Sequence, residues 1–208
     1  MSIPELSESV ARVIASLVEK SISTPDYYPM TVNGLRAACN QKSQRHPHLQ
    51  LTEADVGQAL RDLETLGWAA RDDRFGRSEK WRQQFQHQML LKRDTQAVLV
   101  TLMLRGAQTV AELKSNAAYI GGPADAAAVE AALQDLADRG TPLVSQLPRQ
   151  SGQAATRWAH RLCGEPEVEA AISPAAGRAG GSSAATEAME ARLAALEARV
   201  AALEAQWT

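Results

Sequence analysis

An internal repeat constrains the fold of this chain more than any other feature. The motif TVNGL at residues 31–35 is echoed by TVAEL at residues 109–113, an offset of 78. Lys80-Trp81 is echoed by Arg157-Trp158 at an offset of 77. An apolar helical pattern recurs 73 residues later, pairing Val56, Leu60 and Leu63 with Val129, Leu133 and Leu136. Self-similarity at a fixed distance indicates one structural unit that is present twice.

Each copy predicts three helices. Amphipathic stretches follow residues that commonly cap helix N-termini, and glycines follow the ends of several of these stretches. We expect the third helix of the first copy to begin after Thr52 and to stop at Gly67, and its counterpart to lie over residues 123–139. The predicted caps are Ser7, Thr31, Thr52, Asp94 and Thr109.

A β-hairpin is predicted after each third helix. The first hairpin pairs residues 68–71 with 79–85, and the second pairs residues 143–147 with 154–160. Three helices followed by a hairpin is the winged-helix arrangement. The predicted fold class is therefore mainly α with small β-hairpins (α+β), as two tandem winged-helix domains over residues 1–90 and 91–164.

The C-terminal part has a different composition. Residues 165–185 are rich in Ala, Gly, Ser and Pro and predict a flexible linker. Residues 186–208 carry an apolar seam at alternating spacings of four and three, which is typical of a coiled coil. We expect a homodimer or another homo-oligomer through this helix; the alternative is that the tail folds back on its own protein. The seam residues are Met189, Leu193, Leu196, Val200, Leu203 and Trp207.

Composition excludes several classes of protein. The chain has 22 Lys and Arg against 24 Asp and Glu, a formal charge of −2, which argues against a globally basic nucleic-acid coat protein. Aromatic residues make up 4%, too few for a protein built around base-stacking platforms. Two cysteines fit a reducing compartment. With no targeting segment and no long apolar run in the sequence, we expect a soluble, cytoplasmic protein without a membrane partner.

Both third helices are acidic, which disfavours the usual mode of DNA reading. Each carries four carboxylates against one cation, a sum of −3. Carboxylates that face phosphates would be repelled, so insertion of these helices into the major groove is unfavourable. The acidic residues of the first copy are Glu53, Asp55, Asp62 and Glu64, and those of the second are Asp125, Glu130, Asp135 and Asp138.

Cations concentrate instead on the second helix, the loop after it and the wing of the first copy. Such residues could hold a phosphate backbone without reading bases. The alternative is that they are solvated charges that compensate the acidic helices. The candidate residues for binding nucleic acid or a partner are Arg36, Gln41, Lys42, Arg45, Arg71, Arg74, Arg77, Lys80 and Arg82.

The loop at residues 41–51 is longer than the three or four residues of a helix-turn-helix, which further weakens a standard DNA-reading geometry. We expect Asn40 to have a structural role where the second helix ends. We expect Lys42 and Arg45 to lie at the surface, where they could bind a phosphate or an acidic partner.

Motifs of catalysis are not found in the sequence. It contains no Gly-rich phosphate loop, no His-Glu-x-x-His and no Gly-x-Ser-x-Gly. Cys39, His46 and His48 could form a metal site, but no Cys-x-x-Cys supports one. A buried thiol at Cys39 is the favoured interpretation. We therefore predict no enzyme activity, no cofactor and no metal.

Several longer motifs are distinctive: residues 24–29, TPDYYP; residues 33–35; residues 38–43 with Arg45 and Pro47; residues 102–113; and Pro148-Arg149 followed by residues 157–160. Together they resemble the YceH-like family of bacterial proteins of unknown function. The resemblance covers roughly residues 6–164. It implies a tandem winged-helix fold and no established activity. We expect a non-enzymatic protein with a DNA-binding or regulatory role through the first loop and wing; the alternative is a protein-protein adaptor that uses the acidic third helices and the C-terminal helix.

Overall fold

The computed structural model describes residues 3–72, 79–149 and 155–166. Over these residues the fold is mainly helical with two small antiparallel sheets, which confirms the predicted α+β class. The helices are α1 (Glu8–Ser23), α2 (Val32–Cys39), α3 (Glu53–Thr65), α4 (Phe85–Gln88), α5 (Arg93–Arg105), α6 (Val110–Ala117) and α7 (Ala126–Ala137). The strands are β1 (Ala69–Arg71), β2 (Trp81–Gln83), β3 (Val144–Gln146) and β4 (Trp158–His160).

The cap residues of the first unit behave as the sequence predicts. Ser7 and Thr31 accept hydrogen bonds from backbone amides of their own helices. Thr52 and Asp55 form a reciprocal capping box at the start of α3. After α3 the chain turns at Gly67, whose φ of +70° is accessible to glycine at little cost. Strands β1 and β2 then pair antiparallel, with Arg71 opposite Trp81.

The second unit repeats this order of elements. Thr109 and Glu112 form the capping box of α6, and β3 pairs with β4 after α7. Each unit also has a short bridge from the residue before its second helix cap to a tryptophan of its hairpin. Met30 bridges to Trp81 in the first unit, and Gln108 bridges to Trp158 in the second. These bridges lie at the same offsets as the sequence repeat and give it a three-dimensional basis.

Three local expectations are wrong. Lys92, not Asp94, is the N-cap of α5, and Asp94 lies in the first turn, where a carboxylate favours the helix dipole. Strand β2 ends at Gln83, and Phe85 begins the short helix α4, where its buried ring packs edge-on against Trp68 with ring centroids 5.0 Å apart. Helix α7 spans Ala126–Ala137 rather than residues 123–139, with Asp125 as its N-cap.

The two units share a continuous core. Helices α1 and α5 pack against each other at its centre, and nearly all side chains of α5 are buried. Fully buried residues on both sides of this contact include Ile14, Leu17, Leu99 and Leu102. The described residues therefore form a single compact body that contains both repeat units. Over the described residues no helix has the length and apolarity needed to cross a membrane.

Some predictions stay predictions. The domain boundaries 1–90 and 91–164 stay a prediction, because both repeat units contribute side chains to one core. Most of the predicted linker, residues 165–185, lies outside the described residues. The predicted coiled-coil helix, with its seam from Met189 to Trp207, lies outside them as well.

Candidate binding groove and the α2–α3 loop

Asn40 closes the long loop between α2 and α3. It is the C-cap of α2, and its side-chain amide pairs with the backbone of Leu51 near the other end of the loop. The Nδ2 atom donates to the Leu51 carbonyl at 2.8 Å, and Oδ1 accepts from the Leu51 amide at 2.9 Å. This geometry imitates a pair of backbone hydrogen bonds and confirms the structural role predicted for Asn40.

Replacing Asn40 with Ala removes both of these hydrogen bonds. The amide and carbonyl of Leu51 then lose their partner while partly buried, so we expect the free energy of unfolding to fall by about 1–3 kcal/mol. Urea unfolding followed by circular dichroism measures this loss. Gln41→Ala is the matched control, because the Gln41 amide contacts only the exposed Ser43 carbonyl. Equal stability of the two variants would contradict the role of Asn40.

Arg45 is buried, and the expectation that it is a surface cation is wrong. The residue is 4% exposed, and its guanidinium donates two hydrogen bonds, of 2.5 and 3.2 Å, to the carboxylate of Glu19 on α1. It also donates to the carbonyl oxygens of Ala38 and Gln44. A guanidinium with these partners has no donor left for a phosphate, so Arg45 leaves the set of candidate binding residues.

Arg12 provides the reciprocal contact from α1 to the loop. Its buried guanidinium donates to the carbonyls of Cys39 and Pro47, at 3.4 and 2.8 Å. The backbone amide of His46 donates to the Leu104 carbonyl near the end of α5 at 2.8 Å. The loop is therefore fixed both to the first unit and to the second.

Tyr119 extends this polar cluster across the two units. It lies in the 3-10 turn Ala118–Ile120 of the second unit, and its hydroxyl donates to Glu19 Oε1 at 2.6 Å. Burial alone would raise the pKa of Glu19, but the hydrogen bonds and charge of Arg45, with Tyr119 and Lys20, outweigh it and lower that pKa. Burial, followed by the Glu19 charge, raises the pKa of the Tyr119 hydroxyl. The carboxylate is thus ionised and held from both units at neutral pH.

Cys39 is a buried thiol, as the sequence predicts. Its side chain is inaccessible to solvent, and burial raises its pKa to about 11. Cys39, His46 and His48 do not converge on a metal site. Over residues 3–72, 79–149 and 155–166, no group of three or more His, Cys, Asp or Glu side chains could hold a metal ion.

Two of the other candidate cations already contact carboxylates. Arg36 donates to Asn33 Oδ1 at 2.9 Å and lies 3.9 Å from Glu53. Arg71 lies 3.3 Å from both Glu64 and Glu79, and its guanidinium stacks over the ring of Trp81. Lys42 and Arg82 are exposed. Arg74 and Arg77 lie outside the described residues.

A groove brings the loop and the base of the wing together. Gln41 and Lys80, both candidate residues, line an open cavity of about 560 Å³ with Lys20 and Tyr27. All lining residues come from the end of α1, the 3-10 turn Pro25–Tyr27 and the residues after it, α2 and the loop start, and the hairpin. The acidic helix α3 contributes none of them. We call this cavity the first groove.

Sequence reasoning missed Lys20 and Tyr27. Lys20 sits in the last turn of α1, where it looks like an ordinary charge near a helix C-terminus. Tyr27 lies within the motif TPDYYP and is 80% exposed. The two prolines predicted a rigid turn, but nothing in the sequence shows that Tyr27 is exposed while its neighbour Tyr28 packs against the core.

A second groove lies in the second unit and was also missed. It has a volume of about 800 Å³ between α6, the start of α7 and the second hairpin. Lys114 and Arg149 contribute cations to it, and Glu130 contributes a carboxylate. The repeat offset of 78 places Lys114 at the position of Arg36, so the repeat itself was the signal for this cation.

These features define a mainly helical α+β protein in which one unit of helices and a hairpin occurs twice around a shared core. The model of the family described as "Protein of unknown function, DUF480" matches residues 6–153. The chain belongs to this family, which confirms the predicted resemblance to a bacterial family without an established activity.

Relatives of this chain match more than three quarters of its length. A UPF0502 protein of Geobacter metallireducens is 45% identical over 164 residues, which cover 79% of this chain and 75% of the relative. A UPF0502 protein of Verminephrobacter eiseniae is 45% identical over 163 residues, or 76% and 68% of the two chains. A UPF0502 protein of Acidovorax is 44% identical over 180 residues, or 82% and 79%.

Proposed function

We propose that this chain is a non-catalytic tandem winged-helix protein that binds the backbone of nucleic acid through the first groove. The observation that carries the proposal is the meeting of loop and wing residues there. Lys20 and Lys80 line the groove against one carboxylate, Asp26, and the exposed Lys42 follows the lining residue Gln41. Lysines that share one surface attract phosphates without reading sequence.

Exclusion of α3 from the groove supports the same proposal. The exposed face of α3 carries Asp62, and Glu53 and Asp55 lie in its first turn. A phosphate backbone is repelled by this face, whereas the first groove is lined without any residue of α3. The burial of Arg45 limits the number of phosphate contacts, and so do the ion pairs of Arg36, Arg71 and Lys20. We therefore expect weak, salt-dependent binding without strong sequence preference.

Charge reversal tests this proposal directly. The double variant Lys42→Glu/Lys80→Glu is titrated against a fluorescent blunt 20-base-pair duplex, with anisotropy as the readout at several salt concentrations. We expect the slope of log affinity against log salt to become shallower by about two, because each lost phosphate contact removes about one unit. The control is Lys92→Glu/Arg93→Glu, the same total charge change on two exposed residues at the N-terminus of α5.

Two results would overturn the proposal. One is wild-type protein that shows no salt-dependent binding to the duplex at low salt. The other is a Lys42→Glu/Lys80→Glu variant that binds as tightly as Lys92→Glu/Arg93→Glu. The adaptor alternative has less support, because the carboxylates of α3 that suggested it have partners inside the chain. Asp55 caps α3, Glu53 lies near Arg36, and Glu64 pairs with Arg71.

A further inference from the structure

Tyr27 is the least buried aromatic side chain among the described residues. It is 80% exposed at the rim of the first groove. A ring of this size is more often largely buried. Lys20 and Lys80 line the same groove. An exposed ring beside cations is the arrangement with which proteins hold unpaired nucleotides, because the ring stacks on a base while the cations contact its phosphates.

The backbone under Tyr27 is held in place. Pro25 begins the 3-10 turn, and the Tyr27 amide donates to the Thr24 carbonyl at 3.1 Å. On the next residue, the Tyr28 hydroxyl accepts a hydrogen bond from the Gln83 amide at 2.5 Å, which ties the turn to β2. Burial raises the pKa of Tyr28 to about 12, so this hydroxyl stays protonated at neutral pH. A rigid support lowers the entropy cost of stacking, because only the two torsions of the Tyr27 side chain remain to be fixed.

The size of the groove also fits one nucleotide. Its volume of about 560 Å³ lies within the range of small-ligand sites. One ring can stack on one base, so this arrangement differs from the multi-aromatic platforms that the low aromatic content argues against. A base within a duplex is stacked on its neighbours and cannot reach the ring without being unpaired, whereas a base in a single-stranded overhang can.

We propose that Tyr27 and the first groove hold one unpaired nucleotide, so that this chain prefers duplex DNA with a single-stranded overhang to blunt duplex. This inference rests on the proposed function, since it assumes that the first groove contacts a nucleic-acid backbone. It goes further by assigning a base-stacking residue and a class of substrate.

The test compares two probes of the same duplex sequence, one blunt and one with a five-nucleotide overhang, titrated against the full chain. We expect the wild-type protein to bind the overhang probe more tightly than the blunt probe. Tyr27→Ala removes this difference, so that the variant binds the two probes with equal affinity. Since stacking of one base corresponds to about fivefold to 150-fold in affinity, the lost preference lies in this range. Tyr27→Phe keeps the ring and retains the preference.

The control for general loss of exposed apolar surface is Leu90→Ala, at a leucine that is 83% exposed on the connection between α4 and α5. Wild-type protein that binds both probes equally would overturn the inference and leave the proposed function standing. A preference that survives in Tyr27→Ala would also overturn it, and would leave Tyr27 available as an anchor for a protein. Failure to bind either probe would remove the proposed function as well.

Discussion

Arg45→Met is expected to lower the free energy of unfolding by about 3–5 kcal/mol, because it leaves the carboxylate of Glu19 buried without its main partner. Glu19 and Arg45 side chains are 1% and 0% exposed, so water cannot replace the lost guanidinium without opening the loop. Tyr119 and Lys20 still contact Glu19 and keep the loss from being larger. Urea unfolding of the full chain, followed by circular dichroism and by tryptophan fluorescence, measures the change.

A second variant separates the lost ion pair from a general packing defect. Glu19→Leu/Arg45→Met replaces both charges with apolar groups, and it should recover a large part of the stability lost in Arg45→Met. Arg36→Met is the matched surface control and should change stability by less than about 1 kcal/mol, since its contact with Glu53 is exposed. If the double variant were as unstable as Arg45→Met, the unpaired Glu19 charge could not be the cause.

The order of helices and hairpins was predictable because its signals are local. Thr31, Thr52 and Thr109 each accept a hydrogen bond from an amide three residues ahead, so the cap can be recognised within one helical turn of sequence. The internal repeat then required each element to appear twice. The sequence suggested Asp94 as the N-cap of α5 because aspartate is favoured both at the N-cap and in the first turn of a helix. The extended backbone of Lys92 identifies Lys92 as the N-cap and places Asp94 in the first turn.

The position of Arg45 was not predictable in the same way. Its partner Glu19 lies 26 residues earlier on a different element, and a charge in a long polar loop looks like a surface residue. A signal did exist in α1. Arg12, Ser16 and Glu19 follow one another at spacings of four and three on a face that is otherwise apolar, and all three are buried. Buried charges inside an apolar helix require polar partners, and the α2–α3 loop supplies Pro47 to Arg12 and Arg45 to Glu19.

The first groove was predictable only in part. Sequence indicated that the loop and the hairpin carry cations, and the structure places Gln41 and Lys80 in one cavity. Charge counting overestimated the number of cations that could contact a phosphate, because it assigned no partners to Arg36 and Arg71. It also ignored Tyr27, since exposure of an aromatic residue depends on how the turn is anchored rather than on the residue itself.

His160 should make the protein less stable in mild acid. Burial, followed by the charge of Arg12, lowers the pKa of His160 to about 4, whereas an unfolded histidine titrates near 6.5. Its Nδ1 atom is buried without a hydrogen-bond partner among the described residues. Between these two pKa values the unfolded chain binds a proton that the folded chain does not. Stability is therefore complete above about pH 6.5 and falls as the pH drops toward 4.

The expected loss from this histidine at pH 4.5 is about 2–3 kcal/mol relative to pH 7. Urea unfolding at both pH values is compared between the wild-type protein and His160→Phe, whose side chain has a similar shape and no charge at either pH. Carboxylates such as Glu19 also lose stability in acid, but they do so in both proteins, so the difference between the two pH responses isolates His160. We expect His160→Phe to lose about 2–3 kcal/mol less than wild type; equal losses would show that His160 does not resist protonation in the folded protein.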